Sequence, residues 1–241
     1  MKVVDFHTHI LPGIDDGSSS VEESLAMLQM EKEQGASLVV ATPHFYPQND
    51  RPEKFLQRRK AAFEQLTEKI SPDDKLPQII LGAEVYYFKG IGQWEGLRDF
   101  AIENTNYLLL EMPMVKWDSR MYDDIYDIYR SQGLVPIIAH LDRYINIFNV
   151  KGVVDNLSEL PVVIQANASF FLDKSSKRLA LKLLKNNGIT IIGTDCHNLQ
   201  SRKPNLKAAL DVIEQQLGEE YIKRINLAGE KILSGAITIN N

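Results

Sequence analysis

The sequence predicts an α/β fold: a (β/α)7 barrel of seven parallel strands with helices outside, in a single domain over residues 1–241. Three observations carry this expectation. Seven short runs rich in Val, Ile and Leu recur along the chain. Helical patterns or loops separate successive runs. The runs are near-continuously apolar rather than alternating, as parallel strands covered on both faces are. Hydrophobic residues make up 44% and charged residues 24%, a balance that lets a chain of 241 residues bury a substantial core. An open doubly wound sheet is the alternative arrangement of the same elements.

The first run, Val3–His9, is followed by Ser20-Val21-Glu22-Glu23, a capping box that opens a helix closing near Gly35. Ser37–His44 is the second strand, and Pro52 suits the first turn of a helix to about Ile70. Gln78–Val85 and Tyr107–Met112 are strands three and four. A helix over Ser119–Gln132 leads to the fifth, Leu134–His140. Val162–Asn167 is the sixth. A helix over Ser175–Asn187 meets Gly188 just past its end, Thr190–Asp195 is the seventh strand, and Asn205–Leu217 is again helical. No internal repeat, low-complexity tract or long linker divides the chain.

Several function classes are disfavoured. The longest apolar stretches, such as Leu134–Ala139, fall far short of the roughly 18–20 residues a membrane-spanning helix needs, so no membrane insertion is expected. Met1 runs straight into Val3-Val4-Asp5 without a charged leader or cleavage site, and the single cysteine, Cys196, has no partner for an internal disulfide. Both features fit a cytoplasmic protein. A net charge of −5 speaks against a broad nucleic-acid face, which needs clustered Lys and Arg.

The five histidines all fall at the C-terminal ends of expected strands: His7 and His9, His44, His140 and His197. In (β/α) barrels that end carries the active site. Glu84, Glu111 and Asp195 occupy equivalent positions. Residues two apart on a strand share a face, which pairs His7 with His9 and Asp195 with His197. His-x-His alone is a weak signal, but burying several carboxylates together without cations is very unfavourable, so their joint placement points to metal. Nitrogen and oxygen donors without thiolate suit Mn, Fe or Zn in a hydrolytic centre and disfavour electron transfer.

At these residues the chain resembles the PHP (polymerase and histidinol phosphatase) superfamily, and within it the CpsB/YwqE-like tyrosine phosphatases of bacterial capsule biosynthesis. The matching segments run in order: Asp5-Phe6-His7-Thr8-His9 through Asp15-Asp16-Gly17, Ala41-Thr42-Pro43-His44, Gly82-Ala83-Glu84, Glu111, His140-Leu141-Asp142-Arg143-Tyr144, and Thr194-Asp195-Cys196-His197-Asn198 with Arg202. Ala228–Leu233 is similar to the family's closing helix. The resemblance implies a distorted TIM-like barrel (the PHP fold) and three divalent ions, manganese first with iron or zinc as alternatives. One ion would take His7, His9, Glu84 and Asp195. A second would share Glu84 and take Glu111 and His140, and a third would take Asp16, His44 and His197. Asp16 is preferred over Asp15, although Asp-Asp-Gly alone reads as a turn. The family usually has Pro-Glu in place of Leu141-Asp142 and Ala in place of Cys196; neither departure removes a ligand.

The implied reaction is hydrolysis of protein phosphotyrosine by a metal-bridging hydroxide, with Arg143 and Arg202 as fork-shaped donors to the phosphoryl oxygens. The implied partner is a tyrosine autokinase with a tyrosine-rich tail that controls capsule or exopolysaccharide assembly. Tyr86, Tyr87, Tyr144 and the helical trio Tyr122, Tyr126 and Tyr129 are candidates for an aromatic rim, packing being the stronger reading for the trio. Cys196 and Arg202 also show the Cys-x5-Arg spacing of thiol-based phosphatases. The loop between them lacks glycine, and Asp195 would raise the thiol pKa, so that mechanism is set aside. The remaining alternatives are a small-molecule phosphatase of the histidinol-phosphate kind and a non-catalytic metal-binding module.

Overall fold

The computed structural model describes residues 2–145 and 150–235. Among these residues nine strand segments, all parallel, are present: β1 (Val4–Thr8), β2 (Leu38–Ala41), β3 (His44–Phe45), β4 (Gln78–Leu81), β5 (Glu84–Tyr86), β6 (Tyr107–Glu111), β7 (Val135–Ile138), β8 (Val163–Asn167) and β9 (Ile191–Gly193). They pair as β1-β2-β4 and β3-β5-β6-β7-β8-β9. The second and third expected strands are each interrupted, at Thr42-Pro43 and at Gly82-Ala83. Leu38 pairs with Gln78, Ala41 with Leu81, and His44 with Glu84, an unchanged register across both interruptions. The breaks are therefore bends in two continuous staves. Pro43 has no N–H to give a ladder and Gly82 has no side chain to pack. The ring closes where β9 returns to β1: Asp195 N–H donates to His7 O at 2.7 Å and His9 N–H to Cys196 O at 2.9 Å. Seven staves thus form the barrel expected from the seven apolar runs.

The interior and the outer layer have separate cores. Val4, Phe6, Leu38, Val40, Tyr107, Leu109, Val135, Ile137, Val163 and Ile191 pack together inside the ring. Their strand neighbours, among them Val39, Leu108, Leu110, Ile138, Ile164 and Ile192, pack outward against the helices. Both strand faces are apolar because both are covered.

The helices are α1 (Val21–Glu33), α2 (Pro52–Thr67), α3 (Ser119–Gln132), α4 (Leu141–Ile145), α5 (Val150–Ser158), α6 (Lys177–Lys185), α7 (Leu206–Leu217) and α8 (Glu219–Leu233). Ser20 caps α1 by accepting from Glu23 N at 3.2 Å, while Glu23 reaches back to Ser19 N–H at 2.9 Å rather than to Ser20. The helices α4 and α5 are additions to the sequence reading; α4 is too short to show a period. Among the described residues no helix is long and apolar enough to cross a membrane.

Candidate active site

The C-terminal ends of six of the seven staves converge on one cluster of imidazoles and carboxylates. His7 and His9 leave β1, His44 opens β3, Glu84 opens β5, Glu111 ends β6, His140 follows β7, and Asp195 and His197 follow β9. All are buried except His44, which is partly exposed. Glu84 lies at the centre. Its Oε2 is 3.1 Å from His7 Nε2, 3.3 Å from His9 Nε2 and 3.0 Å from His44 Nδ1, and its Oε1 is 2.8 Å from His140 Nε2. His7 and His9 face each other through their Nε2 atoms at 3.1 Å, with Asp195 Oδ1 at 3.6 and 3.4 Å. Asp16 Oδ1 stands 3.4 Å from His197 Nε2 and 3.5 Å from His44 Nε2. Glu111 Oε1 is 3.6 Å from His140 Nε2.

The electrostatics follow from this crowding. Burial acts to raise Glu84, but His7 beside it and hydrogen bonds with His140 and His44 hold its carboxyl well below the usual range. Asp195 is likewise held low against burial by His7 and His9. Burial and the neighbouring Glu84 push Glu111 up. Burial and His9 lower His197 to about 4, leaving it a neutral lone-pair donor at neutral pH.

Three sets of donor atoms each lie within 4.8 Å of one another: His9, Asp16, His44 and His197; His7, His9 and Asp195; and His44, Glu84 and Glu111. His9 and His44 thus belong to two sets each, where the resemblance gave each a single place. Among the described residues, buried Glu111 Oε2 and His197 Nε2 lack any hydrogen-bond partner, and Glu84 Oε2 meets only imidazole nitrogens. Acceptors and lone pairs converging without donors fit divalent cations, and the N/O set suits borderline or hard ones.

Two arginines flank the cluster. Arg143 Nη2 contacts Asp195 Oδ2 and its Nη1 is 3.6 Å from Glu111 Oε1. Arg202 Nη2 donates to Asp195 Oδ1 at 2.7 Å. Asp195 therefore holds both guanidiniums at the rim. Cys196 is fully buried and turned away, its Sγ 3.7 Å from Glu31 Oε1 of α1. Burial and then Glu31 push its thiol well up, so it is neither accessible nor a thiolate.

Asp15, set aside in the sequence as a ligand, supports two histidines from behind. Its Oδ2 pairs with His9 Nδ1 at 2.8 Å and accepts from His44 N–H at 2.9 Å. A carboxylate behind a ligand imidazole fixes its tautomer; of the doubled Asp15-Asp16, the Asp15 side chain, 6% exposed, supports and the exposed Asp16 faces His44 and His197 from the rim. Gly17 completes the loop: a Cβ there would lie 2.3 Å from His9 O.

The aromatic expectations need correction. Tyr144 is fully buried, its hydroxyl accepting from Met112 N–H at 2.9 Å, because its ring packs under the site against Trp117. Tyr87 is tied to α3 through Asp124 at 2.6 Å. Tyr46, not singled out by the sequence, stacks on His44 at 5.0 Å and meets Tyr86 at 5.5 Å. It lines a cavity of about 460 Å³ with Ile14, Asp16, His44 and Arg58.

A family model described as capsular polysaccharide synthesis, CpsB/CapC, matches residues 3–234. The chain belongs to the CpsB/CapC family. It is 29% identical over 238 residues to the tyrosine-protein phosphatase CpsB of Streptococcus pneumoniae, covering 92% of this chain and 94% of that protein. Against the tyrosine-protein phosphatase YwqE of Bacillus subtilis (strain 168) it is 27% identical over 222 residues, covering 90% and 86%. The chain is thus a homologue of tyrosine-protein phosphatases over nine tenths of its length. The fold superposes on that of the metal-dependent tyrosine phosphatases YwqE and CpsB with a TM-score of 0.84 at 24% identity, over 99% of this chain and 96% of the other. A D-hydantoinase from Thermus sp. shares the fold at TM-score 0.54 and 11% identity, covering 99% and 73%.

Proposed function

We propose that this CpsB/CapC-family chain is a metal-dependent phosphatase that hydrolyses protein phosphotyrosine at the cluster around Glu84. The observation that carries the reading is the convergence of four histidines and four carboxylates in three donor sets on one barrel mouth, with His140 joining them through Glu84 and with buried donor atoms unpartnered. His7, His9, Asp16, His44, Glu84, Glu111, His140, Asp195 and His197 would hold three divalent ions, manganese first, with His9 and His44 placed to serve two sets. Bound there, such ions supply charge for phosphoryl oxygens and bring the pKa of water toward neutrality.

The chain's own residues supply orientation. Arg143 and Arg202, held at the rim by Asp195, present guanidinium forks to the non-bridging phosphoryl oxygens, where charge redistributes in the transition state. Water oxygen bonds to phosphorus as the phosphorus–tyrosyl oxygen bond breaks. A tyrosyl group, with a pKa near 10, leaves with less help from an acid than an alkoxide does. Burial and Glu111 raise the Tyr46 phenol above its ordinary range, so it stays protonated at the cavity wall. The Tyr46 and Tyr86 rings offer an aromatic face to the substrate ring.

On this reading the natural substrate is the tyrosine-rich tail of an autokinase in capsule or exopolysaccharide assembly, met in the cytoplasm. The test compares a phosphotyrosine peptide with histidinol phosphate, with and without chelator, for the native chain and Cys196→Ser. Chelator-sensitive peptide hydrolysis retained in Cys196→Ser is expected. Better turnover of histidinol phosphate would move the reading to a small-molecule phosphatase. Activity lost in Cys196→Ser but kept under chelator would replace it with thiol chemistry.

A further inference from the structure

Among the seven staves, β8 alone contributes none of the proposed ligands. Its inward positions at the mouth carry Gln165 and Asn167, two neutral carboxamides that are buried, with 0% and 6% of their surface exposed. Burying an amide is unfavourable unless its hydrogen bonds are met. Here they are met by ligands from the neighbouring staves. Gln165 Oε1 accepts from His140 N–H at 2.6 Å and lies 3.4 Å from His7 Nδ1. Gln165 Nε2 donates to Asn167 Oδ1 at 3.1 Å, and Asn167 Nδ2 donates to Asp195 Oδ2 at 3.2 Å. Asn167 N–H in turn donates to Asp142 Oδ1 at 2.8 Å, which anchors the stave to α4.

The chain of amides has one direction. Reversing Gln165 would set its NH2 against the His140 N–H, and reversing Asn167 would set an oxygen against the Asp195 carboxylate. With Gln165 presenting its oxygen, His7 carries its proton on Nδ1 and turns the Nε2 lone pair toward His9, Glu84 and Asp195. The same oxygen holds the backbone of His140, whose φ of +32° is a conformation that non-glycine residues rarely adopt.

We propose that Gln165 and Asn167 are positioning residues: a buried carboxamide relay on β8 that sets the His7 tautomer and fixes Asp195 and His140 for metal binding. This rests on the metal reading above. The relay contributes no ligand atom and no contact with substrate; it acts through the three residues it holds.

The test is divalent-ion affinity of the folded protein, measured by competition with a chromophoric chelator using Mn²⁺ and Zn²⁺, in the native chain, Asn167→Ala and Asn167→Asp. Thermal melts run alongside. Loss of a partner behind a metal ligand typically weakens binding about 10- to 100-fold. Asn167→Ala is expected in that range and Asn167→Asp is expected to be weaker still, since it turns an acceptor onto Asp195. Native affinity in either folded variant would overturn the relay, even if its melting temperature fell. Should neither variant fold, ¹⁵N spectra of the native zinc-loaded protein decide: the proton on His7 Nδ1 supports the relay, and coordination through Nδ1 refutes it. Failure of the native chain to bind either ion would instead remove the metal reading itself.

Discussion

Gly193→Ala tests how tightly the barrel holds the candidate site. Gly193 lies on β9 between β1 and β8, and a Cβ there would sit 2.5 Å from His7 Cβ, 2.9 Å from His7 N and 3.0 Å from Gln165 Nε2. Carbon atoms pack at about 3.5–4.0 Å, so His7 must retreat by about 1 Å. Neither neighbour can give cheaply, because His7 N–H is bonded to Asp5 Oδ1 at 3.1 Å and Gln165 is held by His140 and Asn167. Overpacking of this kind destabilises by about 1–3 kcal/mol. Misplacing a reactive constellation by about 1 Å lowers turnover on the order of 100-fold. Steady-state hydrolysis of p-nitrophenyl phosphate with saturating Mn²⁺ and a chemical denaturation curve measure both. The variant should stay folded at working temperature, with kcat down about 100-fold. A folded variant with native kcat would mean that His7 does not need this position, and the ligand assignment on β1 would fail.

Other perturbations separate the roles of individual residues. Arg143→Ala and Arg202→Ala should each lower kcat/KM by about 100- to 1,000-fold, the range for losing one donor to transition-state charge. Lysine at either position should restore little, since it keeps the charge but loses the fork; full rescue by lysine would contradict bidentate phosphate binding. Tyr46→Ala should raise KM for aryl phosphates while leaving an alkyl phosphate such as phosphoserine unaffected, and Tyr46→Phe should keep aryl preference; equal effects on both substrate classes would dismiss ring stacking. In metal-free protein, NMR titration should place His197 near 4, against an ordinary value of 6.5. Its depressed pKa means that its contribution to stability is complete above about pH 6.5 and is lost as pH falls toward 4. His7 and His9, raised by Glu84 and by Asp15 against burial, act in the opposite sense. A His197 titration near 6.5 would refute the burial argument.

The residues that bring charge or an imidazole to the barrel mouth were legible because they are chemically marked. Histidine is scarce in this chain, and each copy falls where an apolar run stops. The supporting residues carry no such mark. Gln165 and Asn167 sit within an apolar run and read as ordinary strand positions, and only the structure shows that their amides meet each other and His7, His140 and Asp195. Tyr144 and Tyr46 illustrate the same limit in reverse. Both stand two to four residues from a histidine, yet one is the most buried kind of aromatic and the other lines the cavity. Sequence adjacency fixes proximity to the site but not the side of the backbone on which a ring lies.

Strand alternation by itself would have misplaced two of the proposed ligands. Val4 and Phe6 belong to the barrel interior, so in a regular strand His7 would turn outward with Asp5, which faces Glu31 of α1. A register shift between Asp5 and Thr8 adds the residue that lets Phe6 and His7 both point inward. On β7, Val135, Ile137 and Ala139 are interior, which would send His140 toward the helices. The left-handed backbone of His140, at φ +32°, brings it back beside Glu84, and Asp195 at φ +54° is also left-handed. Such conformations are unfavourable by about 1–3 kcal/mol each and persist only where neighbours over-determine them. Here the neighbours are identifiable: Gln165 for His140, and Asn167 with both arginines for Asp195. The irregularities of the ring therefore collect at its mouth, where alternation must be broken to bring imidazoles from separate staves, β1 and β7, onto one carboxylate on β5.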